Sequence, residues 1–276
     1  MTLLVVGGSG FLGSELVGRA VAAGHPTAAT FATRPGSTGD IAWYALDLRS
    51  SDRVESVVAE VAPRVIVNAT SGGADWAVTA EGPVRLAMAA AKYGSRLIHV
   101  SSDAVFSGTD VHYDESCRPD PLTPYGAAKA AAETGVRLVH THAVIARTSL
   151  IIGDDRRSEH VRMVHELAAG SRDGVLFTDD IRCPVHVGDL AAALLELATA
   201  DSAGVHHLAG ADAMSRHELG TLIARRDGLD AARLPSGLRV GSSLPGGLDI
   251  RLDSRATQHR LRTTLRGARR FLAGEA

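Results

Sequence analysis

The chain has little cysteine: Cys117 and Cys183 are the only two among 276 residues, far apart and without a CxxC pair. Neither a disulfide framework nor a thiolate zinc site is indicated, and both thiols read as reduced structural residues. Lysine is almost missing, with Lys92 and Lys129 alone, while arginine supplies every other basic side chain. Neither charge sign is in excess. The 29 basic and 31 acidic residues are mixed along the chain and give a formal net charge of -2, which argues against nucleic acid as a partner. The long apolar stretch Leu190 to Ala200 falls well short of the roughly twenty residues that a helix needs to cross a bilayer. The first residues, MTLLVVGGSGFLG, have no basic leader or cleavage site and read as a first strand, not a signal peptide. None of the 12 histidines stands at HExxH spacing, so no metal is expected. These absences point to a cytoplasmic protein with a small-molecule substrate, no membrane span and no nucleic-acid partner; monomer and homodimer are equally open.

What is present is a rhythm. Short apolar or β-branched runs (TLLVVG, TAATFA, VIVNAT, RLIHVSS, THAVIARTS) alternate with alanine-rich amphipathic segments from Gly10, Asp52, Val84 and Tyr125. This is the βαβα pattern of a parallel sheet, and its strands are nearly continuous apolar runs because helices cover both faces. The expected fold is α/β, a doubly wound parallel sheet of Rossmann type with six strands by about residue 150. Residues 1–150, with about 175–205 returning to them, form the dinucleotide-binding domain. Residues 151–174 and 206–276 form a smaller cap on the carboxyl ends of the strands, the edge at which open α/β sheets bind ligands.

Gly7, Gly10 and Gly13 make G-x-x-G-x-x-G where the first strand meets the first helix. The backbone must turn tightly there and come close to a pyrophosphate, and the helix N-terminus offers free N–H groups to it. Phe11 and Leu12 sit inside this loop and count among the cofactor-binding residues. No Asp or Glu occurs between Glu15 and Asp40, where an NAD site carries its ribose-binding acid; the second strand instead runs into Thr33-Arg34. A guanidinium at Arg34 can pair with a 2′-phosphate, so NADP(H) is preferred to NAD(H). Asp47 and Leu48, after the third strand, are placed to meet the adenine.

Tyr125 and Lys129 are four residues apart at the start of a helix marked by Pro121 and Pro124, and so share one face. Tyrosine ordinarily holds its proton to about pH 10; a neighbouring ammonium is expected to lower that and make the pair an acid/base unit. Upstream, a strand ends in Ser101-Ser102. Ser102 is the first choice, and Ser101 the alternate, for a hydroxyl that donates to a substrate carbonyl as charge develops on its oxygen.

The motifs GGSGFLG, HVSSDAVFSG, PLTPYGAAK and RCPVHVGDLA resemble, in order and spacing, the extended short-chain dehydrogenase/reductase family, and within it the dTDP-4-dehydrorhamnose reductases. The resemblance covers nearly the whole chain. It implies that Tyr125 protonates a carbonyl oxygen, that Lys129 also holds the nicotinamide ribose, and that Ser102 polarises the carbonyl. It further implies that Asn68, Ala69 and Thr70 line the cofactor groove; Asp103, Val105, Phe106, Trp76 and Ser149 are the candidate substrate-binding residues. The implied activity is reduction by NADPH of the 4-keto carbon of a nucleotide-linked deoxysugar. One segment departs from the family: after Val67-Asn68-Ala69 the chain has TSGGADWAVTAEG in place of a longer acidic or histidine-containing loop. Trp76 could anchor this segment or stack on a ligand base. Three rival readings stand beside the reductase: a nucleotide-sugar epimerase or dehydratase that retains NAD, a reductase of another small carbonyl metabolite, and a non-catalytic NADP-binding regulatory subunit.

Overall fold

The computed structural model describes residues 1–38 and 40–273. Its centre is a seven-stranded sheet, every neighbouring pair of which is parallel. In chain order the main elements are β1 (Leu3–Val6), α1 (Phe11–Ala22), β2 (Thr27–Phe31), β3 (Ala42–Ala45), α2 (Ser51–Val61), β4 (Val65–Asn68), α3 (Gly82–Lys92) and β5 (Arg96–Ser102). They continue with α4 (Pro124–Val139), β6 (Val144–Thr148), α5 (Glu159–Ala169), α6 (Val187–Thr199), β7 (Gly204–Leu208) and α7 (Arg216–Arg226). The strand order is β7-β6-β5-β4-β1-β2-β3, so the direction of winding reverses between β1 and β4. At such a switch point the connections leave in opposite directions and open a crevice at the carboxyl edge.

The burial pattern has the cause expected from the sequence. β1, β4 and β6 are buried at every position because both faces are covered. On one face α1 and α6 contribute Leu16, Val17, Leu190 and Leu194 to a single apolar layer; on the other α2, α3 and α4 contribute Val57, Leu86 and Val136. A third apolar cluster, formed by α5 and α7 with Ile152, Leu176, Met214 and Leu272, stands apart from the sheet layers.

The six strands expected by residue 150 are all present. The seventh, β7, pairs with β6 from Gly204 to Leu208 and so runs across the boundary expected at residue 206. The adjacent histidines obscure it in the sequence. They are buried inside the strand, His206 against the Thr257 hydroxyl and His207 against the Asp253 carbonyl.

Candidate active site

The glycine loop closes the carboxyl end of β1. Gly7 has φ +81°, and its N–H donates to the Thr30 hydroxyl (3.0 Å). A Cβ on Gly13 would lie 2.1 Å from the Gly7 carbonyl oxygen, so only glycine lets α1 start this close to the strand. The first turn of α1 carries no acidic residue and its N-cap makes no side-chain bond, which leaves its amides and positive dipole end available to an anion. Across the switch point, Asn68 holds the next turn: its carbonyl oxygen accepts from the Thr70 amide (3.2 Å) and hydroxyl (2.7 Å). Arg34 lies exposed beyond the end of β2, with no hydrogen bond or ion pair among the described residues. The cradle, the free helix terminus and the exposed guanidinium suit a dinucleotide with a 2′-phosphate.

Other expected cofactor residues are placed differently. The Asp47 carboxylate is bound by Arg49, which also pairs with Asp75 and ties this corner to the shortened loop. Leu12 and Leu48 are buried, Leu48 tightly enough that a Cβ on Gly82 would approach its own Cβ to 2.7 Å. They could meet a cofactor only through their backbone. Phe11 is partly buried against Gly153, and Ala69 is partly buried on the sheet layer.

The residues expected to be catalytic converge because α4 touches the turn after β5. Thr123 caps α4 by accepting from the Gly126 amide (2.9 Å), and Pro124 fixes the first turn. A Cβ on Gly126 would come 2.1 Å from the Ala104 carbonyl oxygen, so glycine is what allows the contact. Tyr125 thereby meets Ser102. Burial pushes the Tyr125 phenol above its ordinary value; the hydroxyls of Ser102 and Ser71 act in the opposite direction but more weakly. The expectation that Lys129 lowers this phenol is not met: burial raises it, and the groups that oppose the rise are the two serines, not Lys129. Lys129 is itself buried, with its ammonium donating to the Val100 (3.0 Å) and Thr70 (3.4 Å) carbonyls. Burial lowers its pKa to about 8, against the upward pull of Glu133. At neutral pH the site therefore holds a protonated phenol beside a lysine that is still mostly an ammonium.

Ser101, the alternate serine, faces away from the phenol and donates to Glu133 (2.6 Å). Asp103 and Ser149 are both buried and bonded to each other (2.6 Å), with Arg182 3.7 Å from the Asp103 carboxylate. Neither lines the cavity beside Tyr125. Val105 cannot meet a substrate, since its side chain is wholly buried in an apolar cluster with Tyr113 and Ile250. Phe106 is stacked on Tyr113 with ring centroids 4.0 Å apart and shows only an edge to the cavity beside Tyr125. Trp76 is 49% exposed, which is the placement of a surface available for stacking, not of a buried anchor.

That cavity, of about 280 Å³, runs from Tyr125 to Arg182, Arg216 and Arg239. All three guanidiniums converge on Asp180, at 2.7, 3.4 and 3.3 Å respectively. The sequence reading missed this cluster. Its only visible signal was an arginine opening the apolar run RCPVHV. A larger cavity of about 670 Å³ lies between Cys183, Gly210 and Leu265. None of Ser102, Tyr125 and Lys129 lines it, and its arginines are paired, Arg251 with Asp249 and Arg255 with Asp253. The smaller cavity is the one that Tyr125 lines.

A family model described as RmlD substrate binding domain matches residues 1–240. The dTDP-4-dehydrorhamnose reductase of Mycobacterium tuberculosis is 30% identical over 84% of this chain and 77% of its own. A Haloferax volcanii protein named "Probable low-salt glycan biosynthesis reductase" is 29% identical over 89% of this chain and 86% of its own. Among solved structures, a dTDP-4-dehydrorhamnose reductase from Bacillus anthracis in complex with NADP superposes with a TM-score of 0.81 at 20% identity, over 99% of this chain and 97% of that one. Among the described residues, no helix is long and apolar enough to cross a membrane, and no three His, Cys, Asp or Glu side chains gather as metal ligands.

Proposed function

We propose that this chain, which belongs to the RmlD substrate binding domain family, uses NADPH to reduce a keto carbon of a nucleotide-linked deoxysugar. The observation that carries this reading is one cavity lined both by the partly buried Tyr125 and by three arginines. The phenol suits a carbonyl oxygen that must receive a proton, and the arginines suit a diphosphate. Three guanidiniums, those of Arg182, Arg216 and Arg239, line the cavity, and guanidiniums match the oxygens of a diphosphate in charge and geometry. Residues 151–174 and those after Leu208 would act as the cap that closes over the sugar.

When bound, NADPH supplies the hydride. Gly7, Gly10 and Gly13 with Asn68 to Thr70 would cradle it, and Arg34 would meet its 2′-phosphate. Ser102 donates a hydrogen bond to the carbonyl oxygen as negative charge grows there, and Tyr125 delivers the proton to that oxygen. The Lys129 ammonium, one helical turn from Tyr125, would supply positive charge to balance the phenolate that remains. The diphosphate, gripped away from the reacting carbon, orients the keto group and lowers the entropic barrier.

Two substitutions separate cofactor from substrate. Arg34→Ala is expected to raise the KM for NADPH by about 10-fold to 100-fold, the value of one charge-assisted contact, and to leave that for NADH unchanged. Arg216→Ala should raise the KM for a dTDP- or UDP-linked 4-keto sugar by a similar factor of about 10 to 100 without changing the KM for NADPH. Steady-state NADPH oxidation over a panel of such sugars checks both. No turnover with any of them, despite NADPH binding, would sink the nucleotide-sugar assignment.

A further inference from the structure

Behind the catalytic residues lies a buried ionic layer in which neither charged partner contacts the reaction cavity. Glu133 and Arg147 are 2% and 1% exposed, and Arg147 spans both carboxylate oxygens, with Nη2 to Oε2 at 2.8 Å and Nε to Oε1 at 3.1 Å. Ser101 donates to the same carboxylate at 2.6 Å. The sheet sets this arrangement, since Ser101 of β5 lies opposite Arg147 of β6, and Arg147 lies opposite His207 of β7. Arg147 is further fixed by donating to the Cys117 carbonyl (3.1 Å) and by lying over the Phe106 ring. Glu133 is one helical turn beyond Lys129, which is one turn beyond Tyr125, so all three follow the same face of α4.

A buried ion pair is weak support for stability, because desolvation of both charges offsets their attraction. Its position suggests another use. Three groups bear on Lys129 and on Glu133 one turn beyond it: His99 from β5, neutral because burial holds its pKa far below the ordinary value; Arg147 from β6; and His207 from β7, with a pKa of about 4. Among these only Glu133 is an anion, and the two carbonyls that receive the lysine are uncharged. We infer that Glu133, fixed by Arg147 and Ser101, is a positioning residue that keeps Lys129 protonated in its buried seat beneath Tyr125. This inference rests on the reading of Lys129 as part of the reaction machinery.

The scarcity of lysine makes the test direct. With 13C-labelled lysine the folded chain gives two side-chain signals, and Lys92→Arg identifies that of Lys129. Its titration can then be followed without any turnover, so failure of this inference is distinguishable from failure of the proposed activity. In Glu133→Gln the Lys129 midpoint should fall by about one pH unit or more, a size typical of losing a close opposite charge. The alkaline limb of kcat/KM should move down with it. Glu133→Gln leaves Arg147 unpaired, at a cost to the fold; Glu133→Leu combined with Arg147→Met removes both charges and should lower the midpoint in the same direction but by less, since the opposing cation is gone as well. An unchanged Lys129 titration in either folded variant overturns the inference, and so does loss of fold in both, which would make the pair a structural strut alone.

Discussion

Tyr125→Phe is expected to lower kcat by about two to four orders of magnitude, the usual worth of a positioned general acid, with little change in the affinity for NADPH or in thermal stability. The substitution removes one oxygen and keeps the ring that α4 packs at the mouth of the cavity. The stability argument rests on the phenol's partners. Ser102 and Ser71 are the hydroxyls that reach it, and both sit at the edge of the site, where solvent can replace the lost bond. The direction of the pKa shift gives the pH dependence. The phenol is raised and stays protonated across neutrality, so it can act as an acid there without titrating. Lys129 is lowered to about 8, and its charge is lost as the pH rises through that value. The kcat/KM of carbonyl reduction should therefore be flat near neutrality and fall above about pH 8, with no matching limb from Tyr125 in that range. A pH profile of the unmodified chain, with melting curves and NADPH titrations of Tyr125→Phe, checks each part.

Arg147→Met should have the largest effect on stability, a loss of about 3–5 kcal/mol in urea unfolding, because it leaves the Glu133 carboxylate buried and unpaired. The site cannot readily relax. Glu133 is closed in by β5 and β6, and its one other hydrogen-bond partner among the described residues is the Ser101 hydroxyl. Pairing the change with Glu133→Leu should recover most of the loss, since two apolar side chains of similar size avoid both desolvation costs. Single variants that are no less stable than the parent would show that the charges are not in fact taken from water on folding.

How much of this was legible in the sequence depended on how local each signal was. The glycine loop, the first six strands and the Tyr125 helix are each written in a short continuous segment, and each was found where it was expected. β7 was hidden because two histidines interrupt its apolar run, and only the pairing with β6 reveals them as core residues. The arginine cluster brings together positions 180, 182, 216 and 239, which no spacing rule connects. Glu133 looks in sequence like the outer half of an ordinary i,i+4 pair with Lys129; that it turns inward to Arg147 is a property of the sheet beneath it. Val105 follows Ser102 so closely that it resembles a cavity residue, yet the helical turn at Asp103–Val105 carries it into the core, while Phe106 keeps only an edge on the cavity. The direction of the Tyr125 shift was missed for a related reason, since the spacing to Lys129 was visible and the burial of the phenol was not.

The most direct test is the fate of the hydride. A single turnover with NADPH deuterated at the transferred position, on a 4-keto deoxysugar nucleotide accepted by the chain, should place one deuterium on the carbon that becomes the carbinol. Mass spectrometry of the product reads it, and Tyr125→Phe should slow its appearance in proportion to kcat. A sugar altered without gaining deuterium, with the cofactor returned unchanged, would contradict net reduction and assign the site to a reaction that gives its hydride back.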